Sequence, residues 1–367
     1  MKKIYTALGT MSGTSMDGVD ASIIQSDGEN KYNVIKDKYF EYPQVIYKHL
    51  TKLRDKIKKL KDLKKYSKEI KNVEKEITLF HAKAVKQILK KTKTNIDFIG
   101  FHGQTIYHNA KERVSKQVGD GKLLSKITKK TVVYDFRQND LKNGGEGAPL
   151  TPIFHQMLQK RFNIKPVSFF NIGGILNRTT IWKDGLLSAR DLGPGMCLID
   201  KWIRTKTNKK YDKNGDIAKV GKVNKNVLDK YWNIFQISDP EKISYDISDF
   251  DISFAKKLSL KDGAATLTLY TANYFIVHFK NNAGFKDTKK EKTILCGGGR
   301  KNKFLVKTLK SWNKDVKLID DYGIDGDFVE SQAFAYLAIR SNLKLPITFP
   351  KTTGCQKPLT GGEIIRY

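Results

Sequence analysis

Gly9 to Asp20 read GTMSGTSMDGVD. An apolar run, Ile4, Tyr5, Ala7 and Leu8, precedes this stretch, and Val19, Ala21, Ile23 and Ile24 follow it. The pattern fits two strands joined by a turn of small and hydroxyl residues. Ser, Thr and Gly in such a turn let main-chain N–H groups approach anionic oxygens without obstruction, so phosphate is the natural guest.

The layout recurs. PVSFFNIGGILNRTTIW, from Pro166, is strand, glycine pair and second strand; LLSARDLGPGMCLIDKWI, from Leu186, sets an acid and a Gly-Pro-Gly turn before a helix; KTILCGGGRKNKFLVKTLK, from Lys292, sets three glycines between strand and helix. Apolar strands separated by glycine turns at 9–20, 171–177, 191–195 and 297–302 make the chain α/β. None of these turns is a GxxxxGK[ST] phosphate loop, and the first strand lacks a GxGxxG fingerprint. Two glycine hairpins in separate halves match the layout of the actin, hexokinase and heat-shock-ATPase superfamily, in which facing phosphate hairpins come one per lobe.

Composition supports a folded two-domain protein. The 367 residues are 39% hydrophobic and 11% aromatic, too apolar for a disordered chain. A net charge of +30 invites a nucleic-acid reading, but only ten of the 68 basic residues are Arg, and the Lys residues are spread from end to end with abundant Asn, Ile and Tyr. Such a spread reads as residue-usage bias rather than a binding stripe. Cys197, Cys296 and Cys355 include no CxxC pair, which argues against a disulfide framework or zinc site. The N-terminus reads as a strand, not a secretory signal, and no window reaches membrane-spanning length, so the expected compartment is the cytoplasm.

Further along, Leu50, Leu53, Ile57, Leu60, Leu63, Ile70, Val73, Ile77, Phe80, Ala84 and Ile88 recur mostly at three- and four-residue steps, which predicts amphipathic helices with solvated Lys faces. Ile96 to Phe101 reads as a buried strand ending in a polar turn at His102 to Gln104, and Thr131 to Arg137 as another strand. A helix is expected from about Pro152.

Taken in order, GTMSGTSMDGVDA, FHGQT, DFRQNDLKNGGEGAPLTPIFHQ, NIGGILNRT, DLGPG, LID, YDKNG, CGGGRKN and LPITFPKTTG resemble the anhydro-N-acetylmuramic acid kinase family over essentially the whole chain. The resemblance implies a two-lobed, actin-like and hexokinase-like ATPase fold with the active site in the interlobe cleft. The first lobe is expected at 1–140 with 350–367, and the second at 141–349. It implies a cytoplasmic kinase of peptidoglycan recycling, using ATP and Mg2+, with a homodimer as the expected assembly and no nucleic-acid or membrane partner. In the family reaction water opens the 1,6-anhydro bridge of the sugar while the freed O6 takes the γ-phosphoryl group of ATP, giving N-acetylmuramic acid 6-phosphate and ADP.

Attack by water at neutral pH calls for a carboxylate to take its proton. Asp191 matches the family's catalytic base; read alone, it would cap the helix after the turn. Glu330 matches a family acid near the sugar, or else sits on the exposed face of an amphipathic helix whose buried face is Phe334, Leu337 and Ala338. Arg137 is placed to hold the sugar's lactyl carboxylate in two parallel bonds, or else pairs with Asp135 or Asp140. His102 and Gln104 line the sugar site in this reading, although a His there is more often structural than a base. Gly13, Thr14, Ser15, Met16, Asp17, Gly18, Val19 and Asp20 are assigned to ATP, with Ser12 to Ser15 giving N–H and hydroxyl donors to the phosphates. Gly173 and Gly174 face the same phosphates, and Gly297, Gly298, Gly299 and Asn302 carry the adenosine. Asp17 suits a turn role better than magnesium binding, while Asp20 stays open and the metal ligands are unassigned.

Leu192 and Met196 stand where the family usually has Thr and Asn, which puts the exact sugar in question if those side chains reach ligand. Rival readings are another sugar kinase of the superfamily, an actin-like polymerising ATPase and a nucleic-acid binder.

Overall fold

The computed structural model describes residues 2–13, 15–236, 245, 247–280 and 291–367. The chain divides into two units, Met1–Asn163 with Asp327–Tyr367, and Ile164–Gly326. These boundaries differ from the expected ones at 140/141 and 349/350, because the helix at 329–342 packs on the first sheet and the helix at 152–162 packs against that helix.

The first unit runs β1 (Tyr5–Ser12), β2 (Gly18–Ser26), β3 (Tyr32–Glu41), α1 (Gln44–Lys56), α2 (Leu60–Lys65), α3 (Ser67–Thr92), β4 (Phe98–Asn109), β5 (Val114–Val118), α4 (Gly121–Thr128), β6 (Thr131–Tyr134), α5 (Gln138–Lys142) and α6 (Pro152–Phe162). The second has β7 (Val167–Ile172), β8 (Ile175–Ile181), β9 (Leu187–Pro194), α7 (Cys197–Lys206), α8 (Asp216–Lys219), α9 (Lys225–Gln236), α10 (Leu260–Lys280), β10 (Lys292–Cys296), α11 (Lys303–Trp312) and β11 (Val316–Leu318). The chain then returns to the first unit with α12 (Val329–Asn342), α13 (Pro350–Thr353) and β12 (Glu363–Ile365).

The two sheets share one plan. In the first, the order is β12-β6-β4-β1-β2-β3 with β5 beside β4; in the second, β11-β10-β7-β8-β9. Within each, three consecutive strands pair antiparallel, and the first of them pairs parallel with a later strand that has a further parallel neighbour. The hairpins β1–β2 and β7–β8 therefore hold equivalent places.

Alternation along β1 sends neighbouring residues to opposite faces of the first sheet. Leu8 joins Ala82, Val85 and Ile88 of α3 in one apolar layer. Gly9 faces α12 instead, where an added Cβ would lie 1.9 Å from the Ser331 carbonyl; at Gly100 on β4 it would lie 2.1 Å from that of Phe334. Only glycine admits so close a helix. On α3, Lys68, Lys71, Lys75, Lys83, Lys86 and Lys90 are exposed, the solvated face that the periodicity predicts. In the second unit Trp202, Tyr270 and Phe275 centre the core.

Three sequence expectations change. Strand β4 does not end at His102 but bends at Gly103 (φ 72°) and continues to Asn109, because β5 gives its polar half a partner. Strand β6 stops at Tyr134, since Asp135 turns left-handed (φ 54°) and Arg137 occupies the N-cap position of α5. Finally, α12 is not amphipathic: of its residues only Glu330 and Asn342 escape full burial.

Candidate active site

In the first unit, the tip of the β1–β2 hairpin is set by polar contacts at its base. Ser12 Oγ lies 2.6 Å from Gln104 Oε1 and 2.9 Å from the Gly18 carbonyl. Gln104 Nε2 donates to the Gly13 carbonyl at 3.1 Å, as does the Met16 amide. Ser15 Oγ donates to Asp17 Oδ1 at 2.6 Å, and the Asp17 carbonyl accepts from the Tyr42 amide at 2.8 Å. The Ser12 hydroxyl is buried and engaged within the protein, while the exposed Ser15 hydroxyl is bonded to its neighbour Asp17. Asp17 lies between β1 and β2, just before Gly18. Met16, left-handed at φ 56°, is 1% exposed and anchors the tip in the core, with Val19 buried beside it. A Cβ at Gly13 would meet nothing within 4 Å, so the tip itself is open. Asp20 is half-buried on β2 opposite Met11; Thr14 lies outside the described residues.

Gln104 is 1% exposed and belongs to this hairpin brace rather than lining an open pocket. His102 Nε2 lies 3.0 Å from Arg137 Nη2, and its Nδ1 lies 2.9 Å from the Gly103 carbonyl. A guanidinium can only donate, so Nε2 accepts and the ring proton sits on Nδ1. Burial first, and the Arg137 charge second, hold His102 well below its ordinary pKa. It is a neutral ring whose lone pair is engaged, not a base. Arg137 also donates from Nη1 to the Gly147 carbonyl at 2.6 Å. The Gly147 amide donates in turn to Asp140 Oδ2 at 2.7 Å, and Thr353 Oγ1 to Asp140 Oδ1 at 2.7 Å. Glu330 opens α12 and is half-buried on a helix with no broad solvated face, which removes the alternative proposed for it.

In the second unit Asp191 lies within β9, 8% exposed, and Oδ2 accepts from the Tyr245 amide at 2.8 Å. The β8–β9 register shifts beside it: Asn177 faces Asp191 and Leu176 faces Gly193, which leaves Leu192 as the extra residue. Such a bulge re-aims a side chain. Asp191 does not cap α7, whose N-cap position is Met196 and carries no side-chain cap. Instead the Gly195 and Cys197 amides donate to the Gly174 carbonyl, at 3.0 and 3.2 Å, and the Met196 amide to that of Gly173 at 2.8 Å. Leu192 is buried in the apolar core and Met196 packs against it, so both departures from the family pattern are packing residues in this fold.

The glycine run after β10 abuts the same hairpin. A Cβ at Gly297 (φ 76°) would lie 2.4 Å from Asn171 Oδ1, and one at Gly299 2.3 Å from Ile172, whereas at Gly298 it would meet nothing within 4 Å. Asn302 caps α11, its Oδ1 accepting from the Leu305 amide at 2.9 Å, and its Nδ2 is buried without a hydrogen bond. Sequence reasoning missed Arg300, which holds the Gly297 carbonyl at 3.2 Å and Asp320 through two bonds at 2.7 and 3.0 Å. Burial alone would push the Asp320 carboxyl up, but the bonds and charge of Arg300 keep it below the usual range. An Arg directly after three glycines was the available signal.

Two units with one strand plan, each bearing a glycine hairpin at the same place, make this a duplicated α/β fold. The family model described as anhydro-N-acetylmuramic acid kinase matches residues 5–366, and the chain belongs to that family. It is 52% identical to the anhydro-N-acetylmuramic acid kinase of Pelagibacter ubique (strain HTCC1062), with all of both chains covered. It is 38% identical to the kinase of that name in Agrobacterium fabrum, again over both whole chains. With that of Zymomonas mobilis it shares 40% identity over 98% of this chain and 99% of the relative.

Proposed function

We propose that this kinase converts 1,6-anhydro-N-acetylmuramic acid, ATP and water to N-acetylmuramic acid 6-phosphate and ADP, in peptidoglycan recycling, with Asp191 as the base. Asp191 takes a proton from the water that attacks the anomeric carbon. The bond from that carbon to the bridging oxygen breaks, and the freed O6 accepts the γ-phosphoryl group while ADP leaves. The main chain of the Gly13–Asp17 hairpin and the Gly173–Gly174 turn would hold phosphate oxygens, with the open Gly298 beside the adenosine. Within the first unit a ligand can approach the backbone at Gly13, and within the second it can approach that at Gly298, which supports a main-chain role for each. Magnesium, bound with ATP, would neutralise developing charge; Asp17 and Asp20 are the carboxylates on the hairpin. Arg137 is assigned to the sugar, with His102 orienting its guanidinium from behind and Glu330 as the second acid.

The observation that carries this reading is a nearly buried carboxylate set within a strand by a bulge and held by a main-chain amide, a placement that serves no helix cap. The reading includes a homodimer in the cytoplasm; no helix among the described residues is long and apolar enough to cross a membrane, and the three cysteines are free.

Mass spectrometry of products formed in heavy-oxygen water tests the chemistry. The label is expected on the anomeric oxygen, and Asp191→Asn should lower kcat about 10²- to 10⁴-fold with little change in KM for ATP. Unlabelled product, or full turnover by the variant, overturns the assignment.

A further inference from the structure

A chain of hydrogen bonds in the first unit runs from the core to the hairpin tip through two residues that have no role above. His81 on α3 is fully buried, with Nε2 3.3 Å from the Tyr42 hydroxyl. That hydroxyl lies 3.2 Å from Ser12 Oγ, which donates to Gln104 Oε1, and Gln104 Nε2 reaches the Gly13 carbonyl.

The direction of the chain follows from burial. Burial holds His81 down to about 3, so the ring is neutral and carries one N–H. Its Nδ1 has no hydrogen-bond partner, and an orphaned buried N–H is rarer than an orphaned acceptor, which places the proton on Nε2. His81 then donates to Tyr42, Tyr42 to Ser12, Ser12 to Gln104, and Gln104 to Gly13. The bonds run one way, which fixes the orientation of the Gln104 amide as well.

Tyr42 also grips the other leg of the hairpin, its own amide donating to the Asp17 carbonyl at 2.8 Å. One residue outside the hairpin therefore ties the end of β1 to the start of β2, and its ring is packed edge-on against Phe80 at 4.8 Å. The consequence is electrostatic. The carbonyls of Gly13 and Asp17, which flank the tip, both point at protein donors, so their negative ends are kept from an anion bound there.

We infer that Tyr42 and His81 are positioning residues for phosphoryl transfer, holding the tip in the anion-accepting arrangement before nucleotide arrives. The inference rests on the reading of this hairpin as the phosphate site, and two sets of variants separate the two claims. Tyr42→Phe keeps the ring and removes the hydroxyl. Its Kd for ATP and for ADP should rise about three- to tenfold, the loss of roughly one hydrogen bond, well below its melting temperature, while binding of adenosine is unchanged. His81→Phe should do the same, His81→Gln should restore part of the affinity, and the double variant should be no worse than either single one, because the chain is already broken. His81→Phe reads the same chain should Tyr42→Phe not fold. Independently, Gly13→Asp places a carboxylate in the open tip and should abolish ATP binding. If Gly13→Asp does so while Tyr42→Phe and His81→Phe bind ATP like the parent, the positioning role is wrong and the phosphate reading stands. If Gly13→Asp binds ATP normally, the phosphate reading is wrong and the positioning role goes with it.

Discussion

The hairpin at Gly13 to Asp17 is braced by the side chains of Tyr42 and Gln104 together with one outside main-chain amide, that of Tyr42, whereas the turn at Gly173 and Gly174 is braced by the main-chain amides of Gly195, Met196 and Cys197. The two occupy equivalent places in sheets of one strand order. A main-chain brace requires two backbones to touch, and here it leaves no room for a Cβ at Gly195, where one would lie 2.3 Å from the Gly173 carbonyl. A side-chain brace spans a greater distance, leaving room at the tip but depending on particular polar groups. The first hairpin is consequently vulnerable to loss of a hydroxyl or amide, the second to gain of a methyl.

The largest expected contrast is in pH. His81 and His155, both in the first unit, are held down to about 3 by burial, and burial and Arg137 depress His102 too. Below pH 6.5 the unfolded chain takes up protons that these folded imidazoles refuse, so the first unit loses stability as pH falls. At pH 4.5 the loss is on the order of 2–3 kcal/mol each for His81 and His155. The second unit has the opposite problem. Asp200 on α7 is raised to about 7, by burial first, with the Asp212 charge adding and Arg204 opposing. The unfolded carboxyl ionises near pH 4 while the folded one keeps its proton, so stability falls between pH 4 and 7 and stays low above that. Limited proteolysis with mapped cleavage sites should begin in the first unit at pH 4.5 and in the second at pH 8; the reverse order would refute the contrast.

Asp200→Asn isolates the second half of it. At pH 8 urea unfolding should show the variant more stable by on the order of 4 kcal/mol, falling towards zero at pH 4. An equal effect at both pH values would mean that the carboxyl is not titrating with folding.

Glycine substitutions sharpen the comparison of the hairpins themselves. Gly195→Ala should destabilise the protein by about 1–3 kcal/mol in thermal melts, as overpacking against backbone does. Gly13→Ala should change stability by less than about 0.5 kcal/mol, because its Cβ enters open space, yet raise KM for ATP. A stable Gly195→Ala beside a damaged Gly13→Ala would reverse the assignment of the two braces.

Much of the architecture was legible along the chain. The three- and four-residue steps from Leu50 to Ile88 became α1, α2 and α3 with their lysines outward, and the glycine pair at Gly173 and Gly174 became a strand-to-strand turn. What could not be read were partners distant in sequence. Gln104 and Ser12 meet because β4 lies beside β1, and Tyr42 reaches Ser12 only because β3 runs back along β2. Arg137 meets His102, and Asp140 meets Thr353, across 35 and 213 residues. The solvated face expected of α12 is missing because its polar residues are buried with partners far away in sequence: Gln332 donates to Asp37, and Arg340 to the Gly28 carbonyl.

Order and spacing of residues by themselves determined the α/β class, the family and the positions of the glycine turns, because strand periodicity and glycine's missing side chain act within a few residues. Tertiary structure alone decided which donors remain for an anion, which imidazoles stay neutral and which carboxyl keeps its proton. Those outcomes depend on burial and on hydrogen bonds between strands far apart in the chain, and local sequence encodes neither.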